Sequence, residues 1–110
     1  MNLTAQEIAW ISRYRSELDA AFPGLVQQII VFGSKARGTA GPDSDLDLLV
    51  LIRAGDWRVR AAVAEVGYVL SDEPDVDPSI TVRTIEEWHT RGGSRSPFWQ
   101  TVTRDGIVVG

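Results

Sequence analysis

The chain has 110 residues, 44% hydrophobic and 24% charged, a balance that suits one compact domain over 1–110 and excludes a disordered tail-like protein. It has no cysteine, which excludes a disulfide scaffold, a thiol nucleophile, an iron–sulfur cluster and a Cys-type zinc site, and its lone histidine, His89, excludes a histidine-cluster metal site. The net charge of −4 and the lack of any Lys/Arg run disfavour extended nucleic-acid binding. No basic-then-apolar leader opens the chain and no apolar run approaches a membrane span, so a soluble, cytoplasmic protein without membrane contact is expected.

Thr4-Ala5-Gln6-Glu7 has capping-box spacing and starts a helix. Ile8, Ile11, Leu18 and Phe22 supply its apolar stripe, Arg15 lays its stem along it, and Pro23-Gly24 stops it. Val26 to Phe32 reads as a buried strand, and residues 34–38 as a short helical turn. Residues 39–44 have loop chemistry. Residues 45–52 form a second strand that opens with alternation and ends in a solid apolar run. Asp56 caps an amphipathic helix carrying Val59, Ala62, Val63, Val66, Val69 and Leu70. An acidic loop, 71–75, precedes a third strand over 77–82, edge-like at Pro78. Thr84 and Glu87 repeat the capping-box spacing for another helix, which Gly92-Gly93-Ser94 breaks. Ser96-Pro97-Phe98 starts the last helix, and Ile107-Val108-Val109 ends the chain as an apolar strand. The order α-β-α-β-α-β-α-α-β gives an α/β (α+β) sandwich around one small sheet.

Two short patterns carry chemistry. Asp45 and Asp47 stand at i and i+2 of a strand, so they share a face while Leu46 and Leu48 turn to the core. Two carboxylates so placed repel unless a cation lies between them, and Mg²⁺ takes one or two carboxylates together with phosphate oxygens. Solvated turn aspartates would look the same, but Asp is depleted in strands and here enters an apolar one. A calcium loop beginning at Asp43 fails, because its sixth and twelfth positions are Leu48 and Ala54 rather than Gly and Glu. Gly33-Ser34 ends a buried strand just before a helical turn, where exposed N–H groups and a hydroxyl favour an anion. An ordinary strand-to-helix turn needs the same residues. Lys35 and Arg37 add local positive charge, and neither a Walker loop nor a dinucleotide fingerprint is present.

Together, Gly33-Ser34-Lys35-Ala36-Arg37-Gly38-Thr39 and Ser44-Asp45-Leu46-Asp47-Leu48-Leu49-Val50 resemble the signature of the DNA polymerase beta-like nucleotidyltransferases, and more narrowly the minimal nucleotidyltransferases. The resemblance implies their fold, a small mixed sheet flanked by helices. It implies that Gly33 and Ser34 grip the β- and γ-phosphates of an NTP, with Arg37 and Ser44 in the nucleotide-binding set. It also implies that Asp45 and Asp47 hold Mg²⁺ or Mn²⁺. A third metal-holding, catalytic carboxylate is expected from the next strand; Asp77 is the choice and Asp75 the runner-up. The activity implied is transfer of a nucleoside monophosphate, AMP from ATP, to a hydroxyl. The acceptor would be a helical HEPN-type toxin partner in a toxin–antitoxin pair; a homodimer is the other arrangement considered. The alternative is a non-catalytic antitoxin that neutralises its helical partner by contact. His89, Arg13 and Arg15 are read as solvated, and Trp10, Trp57, Trp88 and Trp99 as core or partner-facing packing.

Overall fold

A computed structural model describes residues 1–41, 44–71, 76–90 and 96–110. The elements are α1 (Ala5–Ala21), β1 (Val26–Phe32), α2 (Gly33–Arg37), β2 (Leu46–Ile52), α3 (Trp57–Val69), β3 (Pro78–Thr84), α4 (Ile85–Thr90), α5 (Pro97–Asp105) and β4 (Ile107–Val108). The expected order is borne out. The glycine break at 92–94 and Asp75 lie outside the described residues.

The sheet runs β3-β2-β1-β4. β1 is antiparallel to β2 and to β4, whereas β2 and β3 are parallel. This mixture has a positional consequence. The end of β1 and the beginnings of β2 and β3 all meet at one end of the sheet. A register shift between Val26 and Gln28 lets Val26 and Ile29 face the same side despite their odd spacing. Pro78, which lacks an N–H, is tolerated because β3 is an edge strand.

Each face of the sheet has its own apolar layer. Ile29, Val31, Leu46, Leu48, Val50 and Ile52 face α1 and α3, while Ile30, Leu49 and Leu51 face α4 and α5 with Val102, Phe98 and Trp88. The alternation along β2 therefore serves both layers, which is why its later residues are a continuous apolar run.

The capping box of α1 forms: the Thr4 hydroxyl accepts from the Glu7 N–H at 3.0 Å, and Glu7 Oε1 accepts from the Thr4 N–H at 2.9 Å. The apolar stripe differs from expectation. Ile8 is 56% exposed, and the buried face is Glu7, Trp10, Ile11, Tyr14 and Leu18. Trp10 and Tyr14, with ring centroids 5.0 Å apart, lie on the buried face. Val69 is likewise exposed, because α3 turns Val63 and Gly67 inward instead. Asp56 caps α3 through bonds from the Arg58 and Val59 N–H groups. Thr84 and Glu87 form the second capping box, and Ser96 caps α5. Arg15 is less solvated than expected: it donates to the Val26 carbonyl and pairs with Asp19. Of the tryptophans, Trp10 is buried, Trp88 packs against Phe98, and Trp57 is exposed with Arg58 over its ring. Among the described residues, no helix is long and apolar enough to cross a membrane.

Candidate active site

β1 ends at Phe32, which pairs across the ladder with Asp47. The chain turns at once into α2, and Gly33 makes the turn at φ +74°, a left-handed backbone that other residues rarely adopt. A Cβ at Gly33 would collide with the Asp47 carboxylate. The glycine is therefore required twice, by its backbone angle and by the carboxylate beside it. Ser34 follows, half-buried in the first turn of α2.

Asp47 sits in β2 with Leu46 and Leu48 buried on the opposite face, as the alternation requires. In the parallel β2–β3 register, Leu46 partners Pro78 and Asp47 partners Ser79. The Leu46 N–H donates to the Asp77 carbonyl at 2.8 Å. Asp77 thus enters its strand alongside Asp45, and the two carboxyl groups lie within hydrogen-bonding reach.

The electrostatics follow from this crowding. The hydrogen bond with Asp45, reinforced by its negative charge, pushes the Asp77 carboxyl above the ordinary aspartate value. Burial pushes Asp47 up, Asp45 adds to the shift, and the Arg37 guanidinium partly offsets it. Asp45 therefore acts on both neighbours. Among the described residues, no group of three Asp, Glu, His or Cys side chains is gathered as a ready metal-ligand set. The carboxylates approach in pairs, through Asp45. Hard oxygen donors whose repulsion raises their proton affinity suit a divalent cation such as Mg²⁺ in kind.

The other expected residues have more structural tasks. Arg37 Nη1 lies 3.5 Å from Asp105 Oδ2, joining α2 to α5, while its charge still reaches Asp47. Ser44, one residue before Asp45, closes a local turn by accepting from the Gly41 N–H. Lys35 corrects an expectation. The sequence offers it as positive charge for an anion, but it is buried and its Nζ lies 2.9 Å from Glu7 Oε2. Glu7 has two roles, and the capping pattern accounts for only one of them. Its place on the stripe of Ile11, Tyr14 and Leu18 was the sequence signal that it faces inward. His89 is exposed on α4. A groove of about 620 Å³ beside α1, lined by Met1, Leu3, Ile8, Ile11 and Val109, takes in none of these carboxylates.

Residues 11–98 match the family described as nucleotidyltransferase domain. The chain belongs to the nucleotidyltransferase family. The match spans the Gly33-Ser34 turn and the Asp45, Asp47 and Asp77 positions, and the resemblance to nucleotidyltransferases is borne out at the level of that family. Among curated proteins none matches the chain. The fold is shared with solved structures. One is a toxin–antitoxin crystal structure with AMP-PNP, 23% identical, with a TM-score of 0.59, covering 94% of this chain and 72% of that one. A second is a putative nucleotidyltransferase from Sulfolobus solfataricus, 19% identical, with a TM-score of 0.56, covering 92% and 77%. A third is a mutant of the toxin–antitoxin MntA-HpeT, 22% identical, with a TM-score of 0.55, covering 89% and 69%. As a nucleotidyltransferase domain the chain has the mixed α/β architecture these structures share.

Proposed function

We propose that this nucleotidyltransferase transfers AMP from ATP to a hydroxyl on a helical, HEPN-type protein partner and so acts as an antitoxin. The observation that supports the reading is that Asp45 acts on both Asp47 and Asp77, while Asp47 lies against Gly33 at the turn that carries Ser34, at one end of the sheet. The fold neighbours that are toxin–antitoxin structures, one of them with AMP-PNP, support the choice of partner class and nucleotide.

In this reading, the backbone around Gly33 and the Ser34 hydroxyl hold the β- and γ-phosphates, and Arg37 adds positive charge beside them. Asp45, Asp47 and Asp77 would hold Mg²⁺ or Mn²⁺, which when bound supplies charge neutralisation at the phosphates and draws the reacting oxygens into line. Asp77, the third of these carboxylates, takes the proton from the acceptor hydroxyl. That oxygen bonds to the α-phosphorus as the bond from phosphorus to the β-bridging oxygen breaks, and pyrophosphate leaves. Ser44 shapes the approach to Asp45.

The test is intact-mass analysis of the partner recovered with this chain from its native cell, after incubation with Mg²⁺ and ATP. A mass gain of one AMP is expected, and Asp45→Asn combined with Asp47→Asn abolishes it. An adduct that survives that double substitution removes the assigned site. Neutralisation of the partner with no adduct identifies contact alone as the mechanism.

A further inference from the structure

We propose that the buried Glu7–Lys35 ion pair is the positioning device that holds the Gly33-Ser34 turn in its phosphate-binding geometry. The inference rests on the nucleotide reading above and assigns it two further residues. α2 has five residues, too few to hold a helix by its own hydrogen bonds. Its shape is therefore imposed by what it is tied to.

The ties converge on Lys35, the neighbour of Ser34. Its Nζ meets Glu7 Oε2 at 2.9 Å, with the side chains 8% and 3% exposed. Its carbonyl accepts from the Asn2 N–H at 2.8 Å. Glu7 is itself fixed, because its other oxygen accepts from the Thr4 N–H at the cap of α1. Both carboxylate oxygens are thus engaged, and the anchor stands on a 17-residue helix packed into the core. Ala36 is buried in that core next to Lys35.

An apolar pair would fill the same space without the cost of desolvating two charges. What the ionic pair adds is direction. It holds the backbone of residue 35 at one distance from α1, and with it the hydroxyl one residue earlier. Neutralised at 2.9 Å by Glu7, Lys35 does not serve as a phosphate ligand. It acts through Ser34.

The test uses Glu7→Gln combined with Lys35→Met, which removes the ionic tie without leaving a lone buried charge. Glu7→Gln with Lys35→Leu is a second version should the first melt early, because it keeps an acceptor for the Thr4 N–H. Three readouts are taken: melting temperature, amide hydrogen exchange at residues 33–38, and titration with AMP-PNP and Mg²⁺. Expected are a melting temperature near wild type, faster exchange confined to residues 33–38, and AMP-PNP affinity lower by about tenfold or more. Wild-type affinity in a folded double variant overturns the proposal. Absence of binding by the wild-type chain overturns the nucleotide reading and the proposal together. That failure shows in the wild-type titration before any variant is compared.

Discussion

The carboxylate of Asp47 occupies the space that a side chain at Gly33 would need. The pairing of Phe32 with Asp47 fixes this approach, because it brings the turn after β1 against the face of β2 that carries the acid. Substituting Gly33→Ala should both strain a backbone at φ +74° and displace the carboxylate. The expected cost is roughly 1–3 kcal/mol in stability. Mg²⁺-dependent AMP-PNP binding should be lost in protein that is still folded. Chemical denaturation and calorimetric titration of the same sample measure the two effects separately.

Crowding among Asp45, Asp47 and Asp77 predicts a pH dependence. The Asp47 and Asp77 carboxyls are raised in the folded chain, so folding favours their protonated forms. Their contribution is most favourable below the unfolded value of about 3.9 and declines as pH rises through the raised folded values. Without divalent ions, Asp77→Asn and Asp47→Asn should each raise the melting temperature at neutral pH. Mg²⁺ should raise the wild-type melting temperature more than that of either variant. Thermal melts at pH 4 and pH 7, with and without Mg²⁺, check both statements.

Glu87 predicts the opposite slope. Burial pushes its carboxyl up, but bonds from Thr84 and the Arg60 guanidinium, 2.8 Å away, outweigh that and hold it below the usual glutamate value. Its contribution is present above the unfolded value of about 4.3 and is lost as pH falls through the lowered folded value. Glu87→Gln should therefore destabilise at pH 7 by roughly 0.5–1 kcal/mol, since the pair is partly solvated. The difference from wild type should vanish in acid, which urea titrations at two pH values would show.

Gly67 tests packing alone. It lies inside α3, where alanine is ordinarily preferred by about 1 kcal/mol. A Cβ there would run into Ile80 Cδ1 and sit 3.1 Å from the Tyr14 ring. Overpacking costs typically 1–3 kcal/mol, so Gly67→Ala should be net destabilising. Tyr14 cannot easily yield, because its hydroxyl donates to the Val63 carbonyl at 2.8 Å and its ring is fully buried. A higher melting temperature for this variant would show that the α1–α3 contact is looser than these distances require.

The amino-acid sequence by itself determined the elements and put Asp45 and Asp47 two residues apart at the entry of β2. Capping boxes at Thr4 and Thr84, the period-two entry of Asp45 and Asp47, and Pro-Gly or Asp caps at helix ends are local signals, each acting within one turn or one strand. Tertiary structure decided what those signals could not carry. Only the parallel pairing of β2 with β3 brings Asp77 beside Asp45, residues more than thirty positions apart. Only packing turned Ile8 outward in favour of Trp10 and Tyr14, and Lys35 inward onto Glu7. A charge next to a Gly-Ser turn reads as a solvated cation until its partner is known. Whether it is solvent-facing or buried depends on a contact 28 residues distant, and that contact exists only once α1 has packed against the sheet.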